Sequence, residues 1–324
     1  MVYDESAYLI GDIGATNVRF AIYLNQKIQK QQSYKCKDFS SIEKAIKNYI
    51  NTELEENIPV PIGGAIAIAC PVIGDEVQMT NHPWKFSISK LQENLGWESL
   101  KIVNDFTALS CALPFFSLSD LHKIQDKGKI VLKHPMAVIG PGSGCGASTL
   151  ISIGSDFFPL PGEAGHSTIS GTNPTEDAII AILKRDNEIV SFETVLSGKG
   201  IVNLYKAVCE IDAVKPLKID QETIVEKALH KADDQCFEAL NLFCSFLGNL
   251  AGNMTLTVGA KGGLFLAGGI IPNIKDFLET SIFREKFESK EGMQGYLQGI
   301  PTYVITHPTP AFVGLKYIIN KINE

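Results

Sequence analysis

Short apolar runs alternate with polar or glycine-rich turns along the first third of the chain. Four of these runs have the length and composition of β-strands, at 8–12 (YLIGD), 18–24 (VRFAIYL), 64–70 (GAIAIAC) and 100–103 (LKIV). Between the second and third runs, apolar residues recur at helical spacing from Ile42 to Ile50. They follow a Ser40-x-x-Glu43 pattern that resembles a capping box, so a helix is predicted to begin there.

The same pattern begins again in the middle of the chain. Residues 137–153 predict a strand, a glycine-rich turn and a second strand. The later helices are predicted at 174–185, 199–212, 234–257, 273–287 and 310–322, with strands at 264–269 and 302–306. Two similar α/β halves are therefore expected, joined near Pro114 and near His307. Their glycine turns would face each other across a cleft, and clefts between domains are favoured ligand sites.

Composition narrows the classes of partner. A chain of 324 residues is expected to form two domains, and 45% hydrophobic with 20% charged residues is ordinary for a globular protein. The net charge is −7 and no basic cluster stands out, which argues against a nucleic-acid or anionic-membrane partner. The N-terminus lacks signal-peptide features, and the charge-free stretch 58–74 is too short and too rich in proline for a membrane span.

The number and spacing of the cysteines indicate whether the protein resides in a reducing or an oxidising compartment. The seven cysteines include no CxxC pair, and several lie in apolar surroundings such as AIAC and LFCSF. This pattern is typical of reduced thiols rather than of a disulfide framework or a zinc site. A cytoplasmic protein is expected.

The first glycine turn, GDIGATN, carries more chemistry than a hairpin needs. Gly14 would let backbone amides point inward and form an anion site, and Asp12 at a strand end could meet the hydrated cation that accompanies nucleotide phosphates. An ordinary hairpin with incidental Asp and Thr is an equally open interpretation of the spacing alone.

The second glycine turn, GPGSGCG at 140–146, nearly matches a dinucleotide fingerprint at Gly142-x-Gly144-x-x-Ala147. That fingerprint requires a helix directly after the turn, whereas STLISI predicts a strand. A Walker A loop is also absent, because Gly198-Lys199 lacks the glycine five residues earlier and the following Ser or Thr. Phosphate binding in a hairpin is therefore favoured here over dinucleotide binding.

Several polar residues could bind a polyol, although each also has a plain structural interpretation. Asn104-Asp105 between a strand and a helix is a favoured N-cap pair, and the carboxylate could also take a proton from a substrate hydroxyl. Together with Glu163, His166 and Glu193, the pair could match the alternating hydroxyls of a sugar. Gly268-Gly269, in LFLAGGIIPN, could pack against a planar base or simply form a strand–helix turn.

These pieces follow one known order. GDIGATN, AIACPVIGD, MTNHPWKFSI, NDFTALSCALP, GPGSGCG, LPGEAGH, VLSGKGIVNLY and LFLAGGIIPN together resemble the bacterial glucokinases of the hexokinase–actin superfamily, nearly end to end. The resemblance implies two α/β domains with the ribonuclease-H-like, actin/hexokinase-type fold around an interdomain cleft. A small domain would comprise 1–114 plus 307–324, and a large domain 115–306. The implied activity is phosphoryl transfer from MgATP to the 6-hydroxyl of glucose, the entry step of glycolysis.

Residue by residue, the resemblance implies roles for the candidate side chains. Asp105 would be the general base, and Asn104, Asp105, Glu163, His166 and Glu193 would bind glucose. Asp12 would face Mg²⁺. The implied nucleotide-binding residues are Gly11, Asp12, Ile13, Gly14, Ala15 and Thr16 in the first phosphate loop, Gly140, Gly142 and Gly144 in the second, and Gly268 and Gly269 on the adenosine side. Members of this family are often homodimers, so a homodimer is expected.

Departures and alternatives remain open at this point. Ala15 and Ala164 stand where the family usually has Gly, and HPTPAF (307–312) differs from its usual Asn-Pro-Gly pattern. A repressor of the related sugar-kinase class is set aside, because Cys145 stands alone and no DNA-binding region precedes residue 9. The alternatives are a kinase for another hexose, such as mannose or an amino sugar, a polyphosphate-dependent kinase, an actin-like ATPase and a pure sugar-binding module.

Overall fold

The computed structural model describes residues 6–54, 58–80, 82–125 and 128–322. The chain divides into two compact units. Unit 1 comprises Met1–Phe115 and Pro308–Glu324, and unit 2 comprises Phe116–His307.

Both units combine strands with helices. The strands are β1 Tyr8–Ile13, β2 Asn17–Leu24, β3 Lys27–Lys35, β4 Gly63–Ile68, β5 Glu76–Gln78, β6 Lys85–Ser87, β7 Ser99–Asn104, β8 Leu121–Ile124, β9 Met136–Pro141, β10 Cys145–Ile153, β11 Asp156–Gly162, β12 Gly263–Leu266 and β13 Thr302–Ile305. The helices are α1 Ile42–Glu53, α2 Ile88–Leu95, α3 Asp105–Ala112, α4 Pro174–Leu183, α5 Gly198–Ile211, α6 Gln221–Leu229, α7 Asp234–Val258, α8 Lys275–Thr280, α9 Phe283–Glu288, α10 Gln294–Gln298 and α11 Pro310–Ile322. The α/β class predicted from the sequence is confirmed.

The two units share a sheet topology. The main sheet of unit 1 has the order β3-β2-β1-β4-β7, in which β1, β4 and β7 are parallel and β2 is antiparallel to both of its neighbours. Unit 2 repeats this arrangement as β11-β10-β9-β12-β13, with β8 added antiparallel at the far edge. Each glycine turn therefore occupies the same place in its sheet, between β1 and β2 in unit 1 and between β9 and β10 in unit 2.

Unit 1 buries both faces of its sheet. One face carries an apolar cluster that includes Phe20 and Tyr49 and is covered by α1 and α2. The other face is covered by α3 and α11, and α11 contributes Phe312 and Leu315. These two helices approach so closely that a Cβ atom at Gly314 would overlap the Ala108 carbonyl oxygen. The C-terminal helix is thus part of the core of the N-terminal unit.

Unit 2 has one large apolar core around the long helix α7. Gly248 and Gly252 lie one turn apart on α7, and each is pressed against the backbone of α9 at Phe283 or Phe287. The absence of side chains at these two positions lets the helices pack backbone to backbone. No helix within the described ranges combines the length and apolar character needed to cross a membrane.

Some local predictions were wrong. Helix α1 is capped by Ser41 rather than Ser40, because Ser41 has extended backbone and its hydroxyl accepts from the Lys44 amide at 3.3 Å. The helix predicted at 273–287 is two short helices, since Ser281 is extended between them and its hydroxyl accepts from the Phe283 amide. The exposed polar strand β3 carried no apolar signal and was not predicted.

Candidate active site

The first glycine turn comprises only part of the GDIGATN motif, because the rest of the motif lies in strands. Gly11, Asp12 and Ile13 lie in β1, and only Gly14, Ala15 and Thr16 form the turn. The Gly14 amide donates to the Asn17 carbonyl at 3.0 Å, so this N–H is used within the turn itself. Ala15 and Thr16 remain as the turn residues that can present amides. Gly11 has a packing reason, because a Cβ atom there would lie 3.1 Å from the Phe20 ring.

Asp12 is paired with a cation. It lies directly opposite Arg19 in the β1–β2 register, and Arg19 Nη1 donates to Asp12 Oδ2 at 3.1 Å. Burial raises the pKa of Asp12, and the Arg19 guanidinium offsets part of that rise. Arg19 was not among the predicted site residues, although counting back from the turn along both strands places it beside Asp12.

The carboxylate of Asp12 is compatible with a metal that arrives with its ligand. No group of three or more His, Cys, Asp or Glu side chains in the described ranges is arranged to hold a metal ion. Mg²⁺ usually takes one or two protein carboxylates together with substrate phosphates and water, so a single carboxylate at a strand end suits it. Arg19 would have to release Asp12 for inner-sphere contact.

Asn104 and Asp105 stand at the junction of β7 and α3. Asn104 is the N-cap: its Oδ1 accepts from the amides of Phe106 at 2.9 Å and Thr107 at 3.3 Å, and its Nδ2 donates to the Cys70 carbonyl at 3.3 Å. Asp105 is the first helical residue and is half-buried. The capping interpretation of Asn104 is therefore confirmed, and it fixes the position of the neighbouring carboxylate.

Strand register brings the polar residues of unit 1 to one edge. Asp12 pairs with Ala67 of β4, and Ile68 of β4 pairs with Asn104 of β7. Because neighbouring strands are about 4.8 Å apart, Asp12 and Asn104 lie roughly 10 Å apart at the carboxyl ends of parallel strands. Open α/β sheets place their ligands at such ends.

The second glycine turn connects β9 and β10. Gly140 lies in β9 opposite Gly146, and the turn is closed by the Gly142 amide donating to the Gly144 carbonyl at 2.7 Å. The Gly142 carbonyl in turn accepts from the Gly198 amide at 2.9 Å. The N-terminal end of α5 is thus fixed against this turn.

Glu193 lies against the same turn. Its Oε2 accepts from the Cys145 amide at 2.8 Å, and a Cβ atom at Gly144 would lie only 2.5 Å from that oxygen. The Gly144 position therefore has to be glycine for Glu193 to reach the turn. His166 Nε2 is 4.0 Å from Glu193 Oε2. These contacts bring two of the predicted sugar-binding residues together.

The LPGEAGH segment joins this group through its own glycine. Glu163 follows β11 and His166 ends a single helical turn, and both side chains are exposed. A Cβ atom at Gly165, between them, would overlap the Cys145 carbonyl oxygen. Gly165 thus holds Glu163 and His166 beside the second glycine turn, a contact that residue spacing alone did not show.

Gly268 and Gly269 differ in their surroundings. Gly268 has φ +85°, and a Cβ atom there would overlap the Pro141 carbonyl oxygen, so its glycine identity has a structural cause. Gly269 is exposed and has open space where a Cβ atom would be. A Cβ atom at Gly142 would lie 3.8 Å from the Gly269 amide. The second glycine turn and the Gly268-Gly269 turn are therefore adjacent.

The predicted site residues thus form one group in each unit. Asp12, Asn104 and Asp105 share the sheet edge of unit 1. Glu163, His166, Glu193, the second glycine turn and the Gly268-Gly269 turn cluster in unit 2. Two further residues, Ser143 and Lys199, line a polar pocket of about 190 Å³ beside Glu193 and were not predicted.

Comparison with known proteins gives one consistent family. The glucokinase family model matches residues 9–322. A glucokinase of Photorhabdus laumondii is 42% identical over 309 residues, covering 94% of each chain. A crystal structure of a glucokinase from an Antarctic psychrotroph superposes with a TM-score of 0.88 at 31% identity, covering 98% of this chain and 99% of that one. A glucokinase from Balamuthia mandrillaris, solved in complex with glucose, shares the fold with a TM-score of 0.80 at 22% identity, covering 97% and 94%. The chain belongs to the glucokinase family.

Proposed function

We propose that this protein transfers the γ-phosphoryl group of ATP to the 6-hydroxyl of D-glucose, giving glucose 6-phosphate and ADP. The repeated strand order supports two ribonuclease-H-like domains, 1–114 with 307–324 and 115–306. In this proposal the substrates bind in a cleft between the domains, as the family resemblance implies. Each unit carries one part of the required chemistry. Unit 1 supplies the base and a carboxylate for the metal, and unit 2 supplies most of the sugar-binding groups and the second phosphate loop.

One observation carries the proposal beyond family membership. Glu193 and His166 lie together against a glycine turn, and that turn in turn lies against Gly268-Gly269. Groups suited to sugar hydroxyls and a backbone suited to phosphates are therefore adjacent within a single unit. A phosphoryl transfer needs both ligands side by side, whereas a sugar-binding module needs only the first.

Asp105 performs the proton transfer in this mechanism. Its place at the first position of α3, fixed by the Asn104 cap, holds the carboxylate at the sheet edge. There it accepts the proton of the primary hydroxyl as the oxygen attacks phosphorus. Alignment of that hydroxyl by the sugar-binding residues supplies the orientation on which phosphoryl transfer depends.

The sugar-binding residues are Asn104, Asp105, Glu163, His166 and Glu193. Carboxylates accept from sugar hydroxyls, and imidazole can both donate and accept, so the set matches alternating hydroxyls. Asn104 keeps one Nδ2 hydrogen beyond its bond to Cys70. A substrate that lacks one hydroxyl leaves a protein group unpaired and is rejected on that account.

The nucleotide is held by residues 11–16, by Gly140, Gly142 and Gly144, and by Gly268 and Gly269. Asp12 would hold Mg²⁺, which neutralises charge on the phosphates when it is bound. Closing of the cleft would exclude water, which could otherwise replace the sugar as acceptor. The homodimer and the cytoplasmic location stay part of the proposal. The seven buried free cysteines and the net charge of −7 favour a reducing compartment and argue against nucleic-acid or membrane partners.

The assay that tests the proposal couples ADP release and sugar phosphate formation over a panel of sugars and donors. Glucose with MgATP is expected to give the highest kcat/KM among glucose, mannose and glucosamine, and polyphosphate is expected to be a poor donor. ATP hydrolysis that ignores sugar would favour an actin-like ATPase instead. A preference for another hexose would move the assignment to that sugar while leaving the mechanism intact.

His166→Ala is expected to raise the KM for glucose about 10-fold to 100-fold with a smaller change in kcat. The imidazole pairs with a hydroxyl in both the ground state and the transition state, so its loss weakens binding by about 1.5–3 kcal/mol. Glu163→Ala should behave alike. Initial rates over a glucose series give both constants, and His230→Ala, on an exposed helix end of the same unit, is the control. An unchanged KM in both variants would remove the two residues from the sugar set.

Gly269→Ala is expected to raise the KM for MgATP roughly threefold to tenfold without loss of stability. The methyl group enters open space in the free protein, but it would meet a base packed on this turn. Gly295→Ala, at another open and exposed glycine of unit 2, is the matched control. Equal nucleotide constants for the two variants, at equal melting temperatures, would move the adenosine away from Gly269.

A further inference from the structure

We propose that Lys199 and Ser143 form a phosphate-binding pair at the polar pocket beside the second glycine turn. The inference rests on the proposed function, because it assigns a further substrate-binding residue to the same site. The ligand chemistry is a phosphate group, carried either by the nucleotide or by the sugar phosphate product.

Two elements contribute the proposed pair: the second glycine turn, which carries Ser143, and the N-terminal end of α5, which carries Lys199. Ser143 is the exposed central residue of the turn, and Lys199 is the second residue of α5. The Gly198 amide donates to the Gly142 carbonyl at 2.9 Å and links the two elements. Gly142 directly precedes Ser143, and Gly198 directly precedes Lys199. Lys199 therefore reaches this pocket from a fixed backbone position.

The residues that line the pocket are all of polar or charged types. Besides Ser143 and Lys199 it includes the side chains of Ser191, Thr194, Asn203 and Glu193. The Asn203 amide and the Ser197 hydroxyl already donate to the Thr194 and Glu193 carbonyls at 2.9 Å, whereas the Ser143 hydroxyl and the Lys199 ammonium can donate to phosphate oxygens. The small volume, about 190 Å³, suits one phosphate group better than a whole nucleotide.

The donors of this pocket are side chains rather than the amides of the helix end. The Gly198 amide is used by Gly142, and the Gly200 amide by the Ser197 hydroxyl at 3.0 Å. Within the described ranges, neither Ser143 nor Lys199 makes a side-chain hydrogen bond or ion pair, so both are available to a ligand. The positive end of α5 adds a favourable field for an anion.

Glu193 is the opposing charge in this pocket. Its Oε2 is held by the Cys145 amide and lies 4.0 Å from His166, so it is turned toward the glycine turn and the sugar set. Lys199 thus lines the same pocket as Glu193 and as Ser143 of the second glycine turn. A cation there would bind a phosphate group while offsetting the repulsion from Glu193.

The test measures binding without turnover. Calorimetric titrations of the full chain with MgADP and, separately, with glucose 6-phosphate would compare the wild type with Lys199→Ala, Lys199→Arg and Lys206→Ala. Lys206 lies on the same helix but lines a different pocket, so it controls for net charge. Lys199→Ala is expected to weaken one of the two ligands about tenfold, less at high salt, with partial rescue in Lys199→Arg. Ser143→Ala should weaken the same ligand by a smaller factor.

The ligand whose affinity falls in Lys199→Ala shows which molecule carries the phosphate group that this pair binds. Loss of MgADP affinity assigns the pair to the nucleotide, and loss of glucose 6-phosphate affinity assigns it to the product. Equal affinities of Lys199→Ala and Lys206→Ala for both ligands would overturn the proposal. A wild-type protein that binds MgADP through Lys199 but shows no sugar-dependent turnover would instead refute the proposed function and leave this pair standing.

Discussion

Asp105→Asn is expected to lower the turnover number for glucose phosphorylation by about 10²-fold to 10⁴-fold. General acid–base catalysis contributes that range, which corresponds to roughly 3–5.5 kcal/mol of transition-state stabilisation. The amide side chain keeps an oxygen that can accept from the Phe106 amide, as Asp105 Oδ1 does at 3.0 Å. Local structure at the start of α3 should therefore survive while the proton acceptor is lost.

Glucose binding separates a missing base from a damaged site. Asp105→Asn should bind glucose within a few-fold of the wild type, as measured by calorimetry without nucleotide. The matched control is Asp234→Asn, because Asp234 is the first residue of α7 and follows an Asp233 N-cap just as Asp105 follows Asn104. Retained turnover in Asp105→Asn, with the control unchanged, would assign the base to another group.

Asn104 has a structural role next to Asp105, so substitutions of Asn104 affect more than sugar binding. Its side chain makes three hydrogen bonds that fix the entry to α3 and link it to the Cys70 carbonyl. Replacing a capping Asn by Ala typically costs about 1 kcal/mol, so such a variant would move Asp105 as well as remove a sugar contact. A loss of activity in that variant would therefore say little about sugar binding alone.

Most strands that the sequence predicted have a buried apolar run. β1, β4 and β9 lie inside their sheets and are buried over most or all of their length, so periodicity identifies them. Two edge strands differ: β3 reads KIQKQQSYK and has no apolar run, and β11 reads DFFPLPG, in which Pro159 and Pro161 interrupt the apolar run. Edge strands are commonly polar or broken by proline, because this protects them from pairing with other chains. Their existence depends on the neighbouring strand rather than on their own residues.

In the candidate site, too, some features depend on contacts with distant residues and could not be predicted from local sequence. Motif order distributes the candidate residues over both units, but it assigns Gly144 only to a phosphate loop and gives Gly165 no role. Those two glycines permit the contacts that hold Glu193 and the Glu163–His166 segment against Cys145. The contact partners are up to 48 residues apart in the chain, and no spacing rule connects them. A glycine inside a motif can thus serve a side chain elsewhere as well as a ligand.

Glu176→Gln is expected to lower the free energy of unfolding of unit 2 by about 3–5 kcal/mol. Glu176 is fully buried on α4 and accepts from Ser245 Oγ at 2.6 Å, from Lys286 Nζ at 2.9 Å and from both the amide and the hydroxyl of Thr172. Removing the carboxylate leaves Lys286 as a buried cation without its counter-charge, which is strongly destabilising. The melting temperature of unit 2 should fall by roughly 6–20 °C.

The double variant Glu176→Gln with Lys286→Met distinguishes a lost ion pair from a damaged helix interface. It should recover much of the stability, because neither charge is then left alone in the core. Lys275→Met with Asp276→Asn removes an exposed pair of the same unit and should leave the melting temperature unchanged. A double variant no more stable than Glu176→Gln would show that the hydrogen bonds, rather than the charge pair, stabilise this region.

Acid provides an independent check on the same pair. Burial acts to raise the pKa of Glu176, but the hydrogen bonds from Ser245, Lys286 and Thr172 outweigh it, and the pKa lies below its ordinary value of 4.5. Because the folded-state pKa is lowered, the carboxylate stabilises the fold fully above about pH 4.5 and loses that effect as the pH falls through the folded value. The difference in stability between the wild type and Glu176→Gln should therefore be constant near neutral pH and narrow below pH 4.5. A difference that stays constant or widens as the pH falls would mean that the pKa of Glu176 is not lowered in the folded protein, and the argument from a buried ion pair would fail.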